Sequence, residues 1–222
     1  MIDLTGHTPF AAGYNRHCYQ HPDQPDICLK VLIPANIERR FQRQPLAKKL
    51  LGRSRLDDNR QEIRAHQQPA IRHLLSAGQA STVWQHLPRF DGSVDTSLGP
   101  ANASELVRTA DGQPAPTLET LLAQGQWQPT LIEACDRFQQ WLMRYGILTR
   151  NLLPHNLVVT DRSGRQELLL VDGLGAPTLQ HHLATIPALR QRYLERKLQR
   201  FHRRIQWELA GRPTRWQDAE NS

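Results

Sequence analysis

The sequence predicts an α+β protein, strand-rich in its first half and mostly helical in its second. Three observations lead there. Short strand-like apolar runs separated by turn residues occupy 4–31 and recur after 82, the clearest being Ile27-Cys28-Leu29-Lys30-Val31-Leu32 after the turn His21-Pro22-Asp23-Gln24-Pro25-Asp26. Leu131, Cys135, Phe138, Leu142 and Tyr145 recur at alternating spacings of four and three, the stripe of an amphipathic helix, and Gly146 follows where glycine favours a helix stop. Finally, apolar residues 157–159 and 168–171 flank the turn Asp161-Arg162-Ser163-Gly164, which reads as a β-hairpin.

The first half begins with strand-like pieces on either side of Gly13, followed by the run containing Lys30. A lysine there lies either on the solvated face of an edge strand or in a cleft as a cation. Residues 37–55 are dense in charge, with Arg39, Arg40, Arg43, Lys48, Lys49, Arg53 and Arg55 broken by Pro45 and Gly52. They read as a partly helical insertion with a solvated basic face, or as a surface for anions or membranes. Asp57-Asp58-Asn59 suits the start of a helix that runs through Glu62, Ile63 and His66 and breaks at Pro69, with a further helical piece at 70–75. If that helix packs on the sheet, Glu62 and Lys30 can pair. Two more strands are expected at 82–90 and 105–109, with 91–104 as the loop between them.

Asp111-Gly112-Gln113-Pro114-Ala115-Pro116 reads as a linker, which divides the chain into 1–113 and 114–222. Thr117 suits the cap of a short helix before the long amphipathic one. After Gly175 the chain ends in a basic helix whose apolar face is Leu194, Leu198, Phe201, Ile205 and Leu209, and the tail from Gly211 reads as weakly ordered. That helix packs on the core with a solvated basic back, or lies on a membrane surface.

A formal charge of +7 over 222 residues and a pI of about 9.8 favour acidic partners: nucleotides, nucleic acid or anionic headgroups. Cys18, Cys28 and Cys135 are widely spaced and form no Cys-x-x-Cys pair, which disfavours a disulfide framework or cysteine zinc site and fits a reducing compartment. With no secretion signal at the start and no run of about 20 apolar residues, a soluble cytoplasmic protein is expected. His66, His155 and the pair His181-His182 match no familiar metal-ligand spacing.

The chemistry concentrates in 148–175. The hairpin would carry Asn156 and Asp172 to one end, and two hard oxygen ligands side by side are what a Mg²⁺-phosphate complex needs. In the order of its parts the chain resembles the protein-kinase-like fold and, in detail, the YrbL family of bacterial kinase-like proteins, described as part of the PhoP regulatory network. Pro9-Phe10-Ala11-Ala12-Gly13 with Arg16, Cys18 and Tyr19 looks like that family's reduced glycine loop. Cys28-Leu29-Lys30-Val31 looks like the strand of the phosphate-binding lysine, and Arg60-Gln61-Glu62 like the helix of its glutamate partner. Residues 106–112 stand at the connection between lobes, where adenine is expected. Asn156 stands at the metal-ligating asparagine, and Asp172-Gly173-Leu174 at the Asp-Phe-Gly motif.

The resemblance implies a bilobal fold: a small antiparallel-sheet N-lobe with one main helix, and a reduced, mostly helical C-lobe. It implies ATP and Mg²⁺ held between the lobes, with Gly13, Lys30 and Glu62 on the nucleotide and Asn156 and Asp172 on the metal. One position departs from the kinase pattern. Five residues before Asn156, where the catalytic aspartate is expected, stands Asn151. An amide can orient an acceptor hydroxyl but is a very poor base. Phosphoryl transfer is therefore expected to be weak, absent or arranged differently, and the acceptor non-peptide, because the chain after Asp172 is too short for a full activation segment and substrate-binding helices.

Three functions follow. The first is a kinase-like protein binding Mg-ATP, with a transfer acceptor not specified by the sequence. The second is an inactive pseudokinase serving as a regulatory module for a protein partner. The third is a basic binder of nucleic acid or anionic membrane, of which nucleic acid is disfavoured by the lack of a zinc module, an aromatic RNA-binding signature or a clear helix-turn-helix.

Overall fold

The computed structural model describes residues 1–50, 52–176 and 186–221, so His181-His182 lies outside the described residues. The chain forms two compact units, residues 1–66 with 89–106, and residues 67–88 with 107–222. They are not the continuous halves 1–113 and 114–222 read from the linker. Residues 67–88 belong with the second unit because their polar and aromatic groups are used there. Gln68 accepts from the Leu148 amide at 2.7 Å, the His86 Nδ1 lies 2.7 Å from the Leu168 carbonyl, and the Trp141 indole donates to the Thr82 carbonyl at 2.7 Å.

The first unit is a five-stranded antiparallel sheet of β1 (Ala11–Ala12), β2 (Arg16–Gln20), β3 (Ile27–Leu32), β4 (Phe90–Thr96) and β5 (Gly99–Glu105). Its order is β1-β2-β3-β5-β4. β3 is thus central, and the solvated edge-strand reading of Lys30 is wrong. The register pairs Cys18 with Lys30 and Lys30 with Asn102. Directly paired residues share a face, so the sheet has two unlike sides. Tyr19, Leu29, Val31, Ala101 and Ala103 bury against Leu4 on one. Arg16, Cys18, Cys28, Lys30, Asn102 and Ser104 share the other.

Between β3 and the next helix come α1 (Pro34–Gln42), α2 (Leu46–Lys49) and a 3-10 turn, Arg53–Leu56, the partly helical basic insertion expected. α3 (Asp58–His66) follows, its Arg60 amide capped by the Asp57 carboxylate at 2.9 Å. It ends short of α4 (Pro69–Ser76), as the proline predicted.

The expected strand at 82–90 is corrected to a helix, α5 (Ala80–Trp84), and the expected loop 91–104 to most of the β4–β5 hairpin. Val83 and Trp84 read as strand-formers, but Val83 is fully buried and the Thr82 carbonyl is held by Trp141. Tertiary packing outweighs propensity here. β4 escaped notice because its alternating residues face solvent at a sheet edge, and β5 because its inward residues are small.

The second unit contains α6 (Leu118–Ala123), capped by Thr117, and α7 (Pro129–Tyr145). Gly146 ends α7 at φ 62°, the left-handed conformation glycine adopts cheaply. The expected hairpin forms from β6 (Leu157–Thr160) and β7 (Glu167–Leu170), preceded by a 3-10 turn, Pro154–Asn156. The basic helix is α8 (Pro187–Leu209), burying Tyr193, Leu194, Phe201 and Ile205. The tail is more ordered than expected. Residues 216–221 form α9 (Trp216–Asn221), fastened by the Arg200–Glu220 ion pair at 2.5 Å and by Trp216 against Trp207. Among the described residues no helix is long and apolar enough to cross a membrane.

Candidate functional site

In the first unit the site is a buried polar network on the α3 side of the sheet. Lys30 is 5% exposed and Glu62 7%; their Nζ and Oε1 atoms lie 2.5 Å apart. The pairing posed by the sequence therefore forms. The other carboxylate oxygen, Oε2, accepts from the Arg16 guanidinium at 2.6 Å and the Asn102 amide at 2.9 Å. Asn59, one turn before Glu62, donates to the Lys30 carbonyl at 3.0 Å and so ties α3 to β3 directly.

Burial by itself would raise the Glu62 carboxyl. The charges of Lys30 and Arg16, with hydrogen bonds from Lys30 and Asn102, outweigh it and hold Glu62 well below the ordinary carboxylate range. Glu62 is therefore ionised, and Lys30 is presented as a fixed ammonium rather than a mobile one.

Arg16 was visible in the sequence only as part of the glycine-loop resemblance, Asn59 only as part of a helix start, and Asn102 carried no signal. A buried asparagine in a strand of small residues becomes meaningful once the register sets it opposite Lys30. Gly13 occupies the turn between β1 and β2, where its amide donates to the Arg16 carbonyl at 2.8 Å. A Cβ there would meet only that carbonyl oxygen, at 3.7 Å, an ordinary contact. The backbone does not require glycine, so any need for it comes from what approaches the loop.

The second unit carries the other part. The β6–β7 register pairs Leu157 with Leu170, and the Val171 amide donates to the Asn156 carbonyl at 2.9 Å. Asn156 thus stands opposite the residue before Asp172, at one end of the hairpin. The Asn156 Nδ2 donates to the Asn151 carbonyl at 2.8 Å, which commits the amide nitrogen and directs the amide oxygen elsewhere. The Asp172 Oδ1 accepts from the Gly173 amide at 2.6 Å.

Gly173 itself is required. Its φ is +81°, and a Cβ would come within 2.5 Å of the Asn151 carbonyl oxygen. Its own carbonyl accepts from the amides of Arg150 and Asn151 and from the Thr149 hydroxyl. On the other side of that segment, the Tyr193 hydroxyl and Lys197 ammonium of α8 donate to the carbonyls of Thr149 and Arg150 at 2.9 and 2.6 Å. Asn151 is held through its own backbone by Gly173 and Asn156, and the two residues before it are held by α8.

A lysine on the central strand of a five-stranded antiparallel sheet, paired to a helix glutamate and accompanied by a mostly helical unit with an Asn-Asp hairpin, defines the α+β, protein-kinase-like class expected from the sequence. The chain belongs to the family described as PhoP regulatory network protein YrbL, whose model matches residues 2–206. It is 25% identical over 185 residues to the uncharacterized protein YrbL of Escherichia coli (strain K12), covering 81% of this chain and 76% of that protein.

Among solved structures, a point mutant of the Mycobacterium tuberculosis PknI kinase domain is similar with a TM-score of 0.39 at 20% identity, covering 76% of this chain and 58% of that one. The crystal structure of WbdD gives a TM-score of 0.43 at 13% identity, covering 87% of this chain and 45% of that one. The chain thus spans less than two thirds of either solved structure.

Proposed function

We propose that the protein binds a magnesium complex of ATP, with phosphoryl transfer to a non-peptide acceptor weak or absent. The observation that carries this reading is the buried Lys30–Glu62 pair, whose glutamate is fixed on its far side by Arg16 and Asn102. Ion pairing and burial of this kind order an ammonium for a strong oxyanion partner such as phosphate. Asn156 and Asp172 suit Mg²⁺, being hard oxygen donors at neighbouring positions of one hairpin end, with the Asn156 amide already oriented. When bound there, Mg²⁺ would neutralise phosphate charge. In this reading Lys30 holds phosphate oxygens, Glu62 positions Lys30, and Gly13 admits the phosphates close to the backbone. Asn151 orients an acceptor without taking its proton, and the absence of a base costs about 10²- to 10⁴-fold in rate. A cytoplasmic, reducing setting belongs to the same reading.

The test is calorimetric titration with ATP and Mg²⁺. Binding by the parent chain, lost in Lys30→Ala and Asp172→Ala, is the expected result; no binding by the parent refutes it. Turnover assays then separate a slow kinase from a pseudokinase serving as a regulatory module. ATP turnover abolished by Asp172→Ala selects the kinase, and Asn151→Asp raising the rate would locate the missing base.

A second reading, contact with an anionic membrane, is favoured by the basic insertion. Leu46 and Leu50, one helical turn apart, are 80% and 89% exposed beside the exposed Arg39, Arg40 and Arg43. Sedimentation with anionic but not neutral vesicles, reduced in Leu46→Asp with Leu50→Asp, is its expected signature.

A further inference from the structure

The Lys30 face of the sheet carries two thiols that the proposed binding chemistry does not use. Cys18 of β2 stands directly opposite Lys30, and Cys28 precedes Lys30 by two residues on β3, so the three side chains share one face. The thiols are diagonal neighbours across the β2–β3 ladder, and they are in hydrogen-bonding contact. Both are reduced; Cys28 is 6% exposed, and Cys18 is half-buried and so open to a small reagent. Cys135 is buried in α7, where burial pushes its thiol up to about 12; the Cys28 thiol is raised as well, by its hydrogen bond with Cys18 and by burial, and the half-buried Cys18 is the one open to attack.

We propose that Cys18 and Cys28 form a reversible thiol-oxidation site that controls Lys30, a proposal that rests on the nucleotide reading for its functional consequence. The oxidant class is a hydroperoxide, with hydrogen peroxide as the simplest member. The Cys18 sulfur attacks one peroxide oxygen; an S–O bond forms, the O–O bond breaks, and the leaving hydroxide departs as water with the thiol proton. The Cys28 sulfur then displaces hydroxide from the Cys18 sulfenic acid. An S–S bond forms, the S–O bond breaks, and the Cys28 proton leaves in a second water. Two thiols are oxidised by two electrons, and one peroxide is reduced to water.

The sheet geometry links this bond to Lys30. Diagonal neighbours in a regular antiparallel ladder have Cα atoms about 7–8 Å apart, whereas a disulfide takes about 4.4–6.8 Å. Closing the bond draws β2 and β3 together around Lys30 and moves its ammonium from Glu62. A bond closed against the sheet is also readily reduced, as a reversible switch requires.

The experiment treats the full chain with hydrogen peroxide and follows intact mass, alkylation-based peptide mapping, thermal melting, and binding of a fluorescent ATP analogue with Mg²⁺. Expected are loss of the mass of two hydrogens, a Cys18–Cys28 linked peptide, and a lower melting temperature. Nucleotide affinity should fall roughly tenfold or more, the loss of one charge-assisted hydrogen bond, and dithiothreitol should restore it. Cys18→Ser and Cys28→Ser should abolish the response, and Cys135→Ser should retain it. Oxidation that stops at a Cys18 sulfinic acid overturns the proposal, as does a linked peptide that changes neither melting nor affinity. If the reduced chain binds no nucleotide, the nucleotide reading has failed. Mass, mapping and melting then decide the thiol site by themselves, an unlinked or unshifted product overturning it.

Discussion

Replacing Glu62 with glutamine tests the buried network at its centre. The carboxylate lies 2.5 Å from the Lys30 ammonium and 2.6 Å from the Arg16 guanidinium, and all three side chains are at most 8% exposed. Glu62→Gln keeps the volume and removes the negative charge that faces both cations. Removing one partner of a buried ion pair costs about 3–5 kcal/mol. For a chain of this length each kcal/mol lowers the melting temperature by about 2–4 °C, so Glu62→Gln should melt roughly 6–20 °C below the parent. Thermal unfolding followed by circular dichroism measures this. The double variant Glu62→Gln, Arg16→Met removes one of the two opposed cations and should regain part of the loss, giving a favourable coupling in the mutant cycle. A drop under about 2 °C, within the range of surface substitutions, would refute the network. A double variant less stable than Glu62→Gln alone would refute the electrostatic account of it.

Three further predictions follow from single positions. Burial holds His66, stacked on Phe90 with ring centroids 4.2 Å apart, down to about 4. The folded chain then takes up its proton later than the unfolded chain, and stability should fall by about 3 kcal/mol as pH drops from about 6.5 to 4. Denaturant titrations over that window should lose much of the slope in His66→Gln; an unchanged slope counts against the assignment. Glu62, also depressed, keeps its stabilising charge above the ordinary carboxylate range and loses it only as pH falls through its own lower folded value, so the two groups act in the same direction. Gly173→Ala, facing a positive φ and a carbonyl 2.5 Å away, should cost more than about 2 kcal/mol, visible as a lowered melting temperature. Gly13→Ala meets no such obstacle and should change stability by less than about 1 kcal/mol; weaker ATP binding at unchanged melting temperature would then isolate close approach of the ligand.

Much of the skeleton was legible without coordinates. The 3.6-residue stripe of α7 and its glycine stop, the cap at Asp57, the break at Pro69 and the β6–β7 hairpin all rest on local chemistry: side-chain spacing, capping oxygens, and the backbone limits of proline and glycine. The closeness of Asn156 and Asp172 in the hairpin was readable for the same reason, since a short turn fixes which residues stand opposite.

Only the tertiary structure decided the rest, because it depends on which strands become neighbours. Lys30 belongs to the central strand because β5 inserts beside β3 from some seventy residues away, and the spacing of apolar residues in β3 cannot report a partner that distant. That pairing sets Asn102 opposite Lys30, while the β2–β3 pairing puts Arg16 and Cys18 on the Lys30 face, Arg16 reaching Glu62 and Cys18 standing beside Cys28. Residues 80–84 took helical form against their β propensity because Trp141 and the surrounding core hold them. Local chemistry set most of the elements, and long-range contacts put Lys30 on a central strand with Arg16 and Asn102 converging on its glutamate.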